Sequence, residues 1–277
     1  MDVGTWRWHG HRLRFESYGD GPRTLVYLHG LLLPARCNRP LAGEIARHGH
    51  RVVLPELLGH GGSDGPRHAT DHRLDFMADQ VVALLDHLGA DQAVVGGVSL
   101  GANVTLQVAA TAPERLRGAV LEMPVLERGG VAAATQFVPL LLALRYLPLL
   151  SRLGTAMLRR GPRTGHDAID AFLDAGSGDP RVMAAVLHGL LSGAIAPDLP
   201  TRRAIDVPSL VIGHPRDLLH PLDDARMLAQ ELPDARLLRA SSVIEARTRP
   251  QRVADAMAAF LDERWRPQVA VSRAEGG

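Results

Sequence analysis

Ser99 has the surroundings of a catalytic nucleophile. It lies two residues after Gly97 and two before Gly101, following an apolar run at 93–96 and preceding a helical pattern over 101–112. A chain that turns from strand into helix this tightly leaves its serine strained and the hydroxyl exposed, and side chains at the two glycines would collide with neighbouring elements. The helix N-terminus also favours developing negative charge. The same string also fits a serine that merely caps the helix, but the flanking strand and helix favour the nucleophile.

Two backbone N–H groups are candidates for an oxyanion hole. The apolar run Thr24–Leu28 ends in His29, Gly30 and Leu31. The glycine lets the backbone turn so that the N–H of Leu31 faces a reacting carbonyl oxygen, and the N–H of Leu100 is the second donor. We interpret His29 as a structural residue rather than a proton carrier.

Short apolar runs bounded by turn residues predict the strands that must position these groups. They recur at Thr24–Leu28, 51–54, 93–96, 119–121 and 210–212, and the run His11–Tyr18 alternates. Between them lie helical patterns at 71–88, 101–112, 223–232 and 251–261. Strands that alternate with helices predict an α/β fold with a doubly wound, mostly parallel sheet.

The alternation of strands and helices stops within residues 125–200. This segment has apolar helical stretches at 135–150, 168–173 and Pro180–Leu191, and no convincing buried strand. We interpret 125–200 as a helical lid inserted after a sheet strand, with 1–124 and 201–267 as the core. Residues 268–277 are expected to form a disordered tail.

The composition excludes several classes of function. The 277 residues carry a formal net charge of +1 and only 4% aromatic residues, and without a basic block we expect no nucleic-acid partner. The sequence has no lysine, which excludes Schiff-base chemistry, a P-loop lysine and a Ser–Lys dyad. With Cys37 as its single cysteine, the chain can form neither an intrachain disulfide nor a multi-thiolate zinc site. No other residue spacing predicts a metal site.

The sequence gives no sign of targeting to a membrane. The first fifteen residues carry Asp2, Arg7, Arg12 and Arg14, which is not typical of a signal peptide. The longest apolar stretch, 137–144, is far shorter than the ~20 residues of a membrane span. We therefore expect a cytoplasmic protein without a membrane partner, and the oligomeric state stays open.

Three motifs together resemble the α/β-hydrolase superfamily. The motifs are His29-Gly30, Gly59-His60-Gly61-x-Ser63 and Gly97-Val98-Ser99-Leu100-Gly101. They occur in the family's order and spacing, and the likeness spans about residues 10–265. The lid-bearing, small-molecule esterase-like branch fits best. The resemblance implies an α/β-hydrolase fold, no cofactor, a serine that attacks an acyl carbon, and a lid over a pocket for a small apolar molecule. A serine at position 99 disfavours the epoxide-hydrolase and dehalogenase members, which have aspartate there.

The resemblance also implies an acidic residue after a late strand. Asp217, which follows the run 210–212, lies where the family's acid would lie. Glu122, at the end of the run 119–121, is an alternative acid after a different strand. Asp217 could instead be a capping or turn residue.

The histidine does not follow the family's pattern. In that family it comes after the final strand, which we expect at Ala235–Arg239, but His220 is the last histidine of this chain. The first explanation is that His220 supplies the base from the loop of the acid. The second is that His214 does so. The third is that no Ser–His–acid hydrolysis occurs, with Glu245 near the vacated place.

Two functions follow from these alternatives. One is a serine hydrolase that cleaves a small apolar ester, thioester or related acyl compound through Ser99, Asp217 and His220. The other is a non-hydrolytic protein of the same fold, a lyase, an isomerase or a ligand-binding protein, that lacks a functional triad. A distance of about 3–4 Å between His220 Nε2 and Ser99 Oγ favours the first function.

Overall fold

An eight-stranded sheet lies at the centre of the structure, a computed structural model that describes residues 1–266. The strands are β1 (Asp2–Trp8), β2 (His11–Tyr18), β3 (Thr24–Leu28), β4 (Arg51–Glu56), β5 (Ala93–Val98), β6 (Leu116–Glu122), β7 (Ser209–Gly213) and β8 (Ala235–Arg239). Their order is β1-β2-β4-β3-β5-β6-β7-β8, and all pairs are parallel except those made by β2. This confirms the predicted fold class. The predicted tail, 268–277, lies outside the described residues.

Helices cover both faces of the sheet. They are α1 (Arg39–Arg47), α2 (Leu74–His87), α3 (Leu100–Thr111), α4 (Glu127–Tyr146), α5 (Pro148–Arg160), α6 (Asp167–Ala175), α7 (Pro180–Leu191), α8 (Leu199–Ala204), α9 (Leu222–Glu231), α10 (Glu245–Thr248) and α11 (Gln251–Arg264). Buried residues of α2, α3 and α9 belong to one hydrophobic cluster, and those of α1 and α11 belong to a second. The two clusters lie on opposite faces of the sheet.

The central strands are apolar throughout because both of their faces are buried. In β3, Val26 and Leu28 join the cluster on one face, whereas Leu25 and Tyr27 join the cluster on the other. All six residues of β5 are buried. Because β3, β5, β6 and β7 are parallel neighbours, their carboxyl ends meet along one edge of the sheet. Ligands bind at this edge in open α/β folds.

The sequence does not predict β1, and it predicts one helix at 135–150 where the structure has two. β1 pairs only with β2 at the edge of the sheet and has a single buried residue, Trp6, so no apolar run marks it. The break between α4 and α5 falls at Leu147, whose φ of −119° and ψ of 57° are not helical. Pro148 disfavours the helical conformation at the preceding residue and then occupies the first turn of α5.

Helices α4 to α7 lie between β6 and β7, and we call them the insertion. Its first helix is tied to the core by Asp224 of α9, whose Oδ2 accepts the N–H groups of Leu126 and Gly129 at 3.0 and 2.8 Å. Among residues 1–266, no single helix is long and apolar enough to span a membrane. Helices α4 and α5 together are long and apolar enough, by length and composition alone, but they are bent by 109° relative to each other.

Candidate active site

Ser99 lies on a strained turn between β5 and α3. Its φ of 55° and ψ of −112° are rarely adopted by residues other than glycine. The conformation is held from both sides, because the N–H of Ser99 donates to Glu122 O at 2.8 Å and its carbonyl accepts from Asn103 N–H at 3.1 Å. The strain is therefore fixed by the surrounding backbone, and it directs the hydroxyl towards a cavity.

The two flanking glycines are required by close contacts, as the sequence predicts. A Cβ at Gly97 would lie 2.7 Å from the carbonyl carbon of Gly101 and 2.8 Å from Leu28 Cβ. A Cβ at Gly101 would lie 2.7 Å from Leu28 Cβ, and 2.8 and 2.9 Å from the carbonyl oxygens of Leu28 and His29. Strand β3 thus packs directly against the turn that carries Ser99.

The structure brings Ser99, His220 and Asp217 into one hydrogen-bonded chain. The Nε2 atom of His220 lies 2.8 Å from Ser99 Oγ, and the Nδ1 atom lies 2.8 Å from Asp217 Oδ2. An ionised carboxylate can only accept, so Nδ1 carries the proton and Nε2 is free to accept the serine O–H. This is the arrangement in which a histidine can remove a proton from a serine.

The loop after β7 supplies both the histidine and the acid. Asp217 Oδ1 accepts the N–H groups of Leu219 and His220 at 2.8 and 3.1 Å, which closes a tight turn three residues long. The preceding residue, Arg216, has a positive φ of 61°. Burial raises the pKa of Asp217. Hydrogen bonds from the ring and backbone of His220 lower this pKa by a larger amount, so its net shift is downward.

The two candidate oxyanion donors border the same cavity. Leu31 and Leu100 both line it, together with Gly30. The N–H of Leu33 donates to Gly30 O at 3.1 Å, which closes the turn that presents Leu31. Leu100 is the first residue of α3, where the backbone N–H has no acceptor within the helix.

His29 and His60 are buried beneath the turn rather than in the hydrogen-bonded chain. His29 Nε2 accepts from Leu57 N–H at 3.1 Å, so its Nδ1–H donates to Gly30 O at 2.9 Å. The His60 ring packs against it in a tilted arrangement, with a centroid distance of 4.5 Å. Burial lowers the pKa of both histidines. These contacts fit the structural role expected of His29.

The alternative residues, Glu122 and His214, are both buried and lie against each other. His214 Nε2 lies 3.0 Å from Glu122 Oε1, and Nδ1–H donates to Ser242 O at 2.7 Å. Nη1 of Arg247 donates to both oxygens of Glu122 at 2.7 and 2.8 Å, and Tyr27 OH donates to Oε2. Burial raises the pKa of Glu122, but the Arg247 charge lowers it well below its usual range. Neither alternative residue hydrogen-bonds to Ser99 or His220 through its side chain.

The place that the family's histidine would occupy is bordered by other residues. The loop after β8 contributes Val243 and Ile244 to the cavity, and α10 contributes Arg247. Glu245, suggested for this place, instead pairs with Arg252 at 2.8 Å and accepts the N–H of Ser241. Arg247 was not predicted as part of the site, although a glutamate ending an apolar strand requires a cationic partner when it is buried.

The cavity has a volume of about 810 Å³ and is mainly apolar. Apolar side chains of the insertion and of the loop after β3, many of them leucines, line much of it, and Ser99 and His220 lie on its wall. Cys37 also borders it, and burial raises the pKa of this thiol to about 11, so it stays protonated and unreactive at neutral pH. Within residues 1–266, no group of three His, Cys, Asp or Glu side chains could hold a metal ion.

A family model described as the alpha/beta hydrolase fold matches residues 23–242. The chain is 31% identical to a putative carbamate hydrolase, RutD, of Caulobacter sp. strain K31 over 212 residues, 68% of this chain and 70% of that protein. It is 32% identical to a putative non-heme haloperoxidase of Mycobacterium phage D29 over 112 residues, 40% of this chain and 39% of that protein. For the first curated relatives that it matches, the chain covers only between 28% and 41% of their length.

Solved structures show the same fold. The enol-lactonase from Burkholderia xenovorans LB400 superposes with a TM-score of 0.75 at 21% identity, over 94% of this chain and 100% of that chain. At this identity the likeness concerns the fold alone. Hydrolases are thus present among both the sequence relatives and the structural neighbours.

Proposed function

Because the chain belongs to the alpha/beta hydrolase fold family, we propose that it is a serine hydrolase whose base and acid both come from the loop after β7. The observation that carries the proposal is the 2.8 Å distance from His220 Nε2 to Ser99 Oγ, with Asp217 hydrogen-bonded to the other ring nitrogen. These three side chains supply a nucleophile, a base and a group that orients the base. The family's late histidine is then unnecessary.

Acylation begins when the oxygen of Ser99 attacks the acyl carbon of the substrate. The hydroxyl proton passes to His220 Nε2, and the carboxylate of Asp217 stabilises the imidazolium that forms. The carbonyl oxygen becomes an oxyanion, which accepts hydrogen bonds from the N–H groups of Leu31 and Leu100. The intermediate collapses when the bond to the leaving group breaks and His220 returns the proton to that group.

Deacylation repeats these steps with water in place of the serine. His220 Nε2 takes a proton from water, whose oxygen attacks the acyl carbon bonded to Ser99. The bond to the serine oxygen then breaks, the acid product leaves, and the proton returns to Ser99. Every proton transfer uses the same nitrogen, so a histidine fixed by the Asp217 turn suffices for both halves of the reaction.

The lining of the cavity supports a small apolar acyl compound as the substrate. A volume of about 810 Å³ with a mainly apolar lining favours a hydrocarbon-rich acyl group over a charged one. The names of two similar proteins, a putative carbamate hydrolase and an enol-lactonase, are in line with cleavage of an acyl compound. We infer that the insertion acts as the lid of this cavity, because α4 to α7 all contribute to its wall.

A panel of p-nitrophenyl esters of increasing chain length tests the proposal. We expect turnover by the wild type, with a preference for apolar acyl groups over acetyl, and a loss on the order of 10³-fold or more in Ser99→Ala. Ser192→Ala, which removes a serine at the end of α7 outside the cavity, is the matched control and keeps the wild-type rate.

Two results would contradict the proposal. One is ester turnover that persists in Ser99→Ala. The other is a folded wild type that binds the esters without cleaving any of them, which is the outcome expected of a non-hydrolytic lyase, isomerase or binding protein. That alternative was motivated by the missing late histidine, and no contact in the site favours it.

A further inference from the structure

Helix α5 exposes its apolar face to solvent. Leu150, Leu153 and Met157 follow one another at spacings of three and four residues, so they lie on one side of the helix. Their relative exposures are 62%, 55% and 75%. Leu149 and the preceding residues Tyr146 and Leu147 are also exposed and extend this surface to the α4–α5 turn. We call these six residues the outer face of α5.

The opposite side of α5 is the one that faces the protein. Ser151, Thr155 and Leu158 line the cavity, and Thr155 is buried. A helix on the surface of a soluble domain normally turns its apolar side inward and its polar side outward. The inward side of α5 thus carries two small polar side chains, whereas most of its large apolar side chains face solvent. Burial within residues 1–266 therefore does not account for the outer face.

The segment that carries the outer face contains positively charged side chains and no carboxylate. Residues 129–166 contain five arginines and neither aspartate nor glutamate. Arg163 is paired with Asp174 at 2.9 Å, and Arg159 donates to Ser177 O. The other three, Arg145, Arg152 and Arg160, are exposed and have no carboxylate within 4.0 Å among the residues that the structure describes.

The acidic residues that follow this segment in sequence, on α6, are directed to other partners. Asp167 pairs with Arg39 at 3.2 Å, and Asp174 pairs with Arg36 as well as Arg163. Asp170 is buried and accepts the N–H groups of Thr164 and Gly165. These carboxylates therefore do not neutralise Arg145, Arg152 or Arg160.

We propose that the outer face of α5 docks on the surface of an anionic phospholipid bilayer. A helix that presents leucine and methionine flanked by arginine lies in the plane of such a surface, with its apolar side among the acyl chains and its cations among the anionic headgroups. A second copy of this chain fits less well. A symmetric contact through the outer face would bring the same unpaired arginines of both copies together.

Docking in this way also places the mouth of the cavity at the bilayer. Ile169 and Phe172 of α6 line the cavity and are exposed, so the cavity opens beside the outer face. An apolar molecule dissolved in the bilayer then reaches Ser99 without crossing water. This consequence rests on the proposed function, whereas the docking itself does not. Docking of the outer face departs from the expectation of no membrane partner, which rested on the lack of a signal peptide and of a spanning segment.

Flotation with vesicles tests the docking on the full-length protein. We expect the wild type to float with vesicles of equal parts phosphatidylglycerol and phosphatidylcholine, less at high salt, and not with phosphatidylcholine alone. Each arginine near an anionic surface contributes roughly a fivefold factor to partitioning, so the triple variant Arg145→Gln, Arg152→Gln, Arg160→Gln lowers it about 100-fold. The variant Leu150→Ser, Leu153→Ser, Met157→Ser lowers it by a similar factor.

A control with the same change of net charge separates local from global effects. Arg7→Gln, Arg203→Gln, Arg239→Gln alters three exposed arginines far from α5 in sequence and keeps the wild-type flotation. All variants are expected to unfold thermally and to hydrolyse a soluble p-nitrophenyl ester as the wild type does, because the altered side chains lie outside the cavity. Ester hydrolysis without vesicles reports on the proposed function independently of docking.

Three results would overturn the docking proposal. The first is a wild type that does not float with the anionic vesicles, and the second is flotation of both α5 variants at the wild-type level. The third is a dimer in light scattering that the serine variant dissociates while no form binds vesicles, which would assign the outer face to a second copy of the chain.

Discussion

The two oxygens of Asp217 have separate roles in the proposed triad. Oδ2 accepts the Nδ1–H of His220 and so selects the tautomer whose Nε2 faces Ser99. Oδ1 accepts two backbone N–H groups and holds the turn in place. The distance of only three residues between acid and base is possible because this turn folds the histidine back onto the aspartate.

The first prediction separates these two roles. In Asp217→Asn, the amide can keep the backbone contacts through its oxygen, but its NH₂ group faces Nδ1 and favours the wrong tautomer. We expect kcat on a p-nitrophenyl ester to fall on the order of 10³–10⁴-fold with little change in thermal stability. Asp223→Asn, a change of a half-buried side chain at the start of α9, is the control and retains activity. A loss smaller than about tenfold in Asp217→Asn would contradict the role of Asp217.

Sequence order identifies the residues of the site better than it identifies their partners. Ser99, Asp217 and His220 were expected together, and the structure brings them together. The buried pair of Glu122 and Arg247 was not expected, because the two residues are 125 positions apart and meet only when β6 and α10 pack. A pattern of apolar runs indicates which strands are buried, and not which distant charge completes a buried carboxylate.

At the scale of elements, the contact between β3 and α3 sets how close the turn of Ser99 can approach the sheet. Gly101 has no room for a side chain because the backbone of β3 is its neighbour. Backbone, unlike the end of a flexible side chain, cannot move aside without shifting the strand. The contact therefore couples the packing of β3 to the positions of both candidate oxyanion donors.

The second prediction follows from this contact. Gly101→Ala is expected to lower the free energy of unfolding by about 1–3 kcal/mol, through overpacking, and to reduce ester turnover with it. Gly43→Ala is the matched control, because Gly43 lies within α1 and a Cβ there meets nothing within 4 Å. That change is expected to stabilise by about 0.5–1 kcal/mol. Urea unfolding measures both, and equal effects of the two substitutions would contradict the prediction.

Elements with a strong apolar pattern were predicted well, and those at edges or breaks were not. β2 and β3 match the expected bounds, as does α7, because each is an alternating, apolar or periodic run bounded by turn residues. The edge strand β1 lacks such a run. The division into α4 and α5 depends on Pro148, whose effect on the preceding residue was not weighed.

At the scale of the whole molecule, several buried ionisable groups make the fold sensitive to acid. Burial lowers the pKa of His29, His60 and His72, because it disfavours the charged imidazolium relative to the neutral ring. Burial raises the pKa of Glu16, but hydrogen bonds from Arg39 and Arg14 lower it to about 2 on balance. In each case the unfolded chain binds protons more readily than the folded one.

The third prediction is a loss of stability in two stages as the pH falls. The unfolded state binds more protons wherever the folded pKa is the lower one, so the free energy of unfolding decreases with decreasing pH. The histidines lower the free energy of unfolding below about pH 6.5, and the carboxylates lower it below about pH 4.5. Urea unfolding at a series of pH values measures this. A stability that is constant from neutral pH to pH 5 would contradict the role of the histidines.

The arrangement of the insertion could not be predicted beyond its helical character. Its helices were expected between β6 and β7, but periodicity does not tell which side of a helix faces the core. For α5 the apolar side faces solvent, contrary to the usual rule. The volume and lining of the cavity depend on that choice and are therefore known only from the structure.

The origin of the base is the central claim, and labelling with a fluorophosphonate probe tests it most directly. The probe reacts with a serine only when a base activates the hydroxyl. We predict an adduct on Ser99, located by mass spectrometry, that forms at the wild-type rate in His214→Asn and on the order of 10³-fold more slowly in His220→Ala. Labelling of His220→Ala at the wild-type rate, or an adduct on a different serine, would contradict the account.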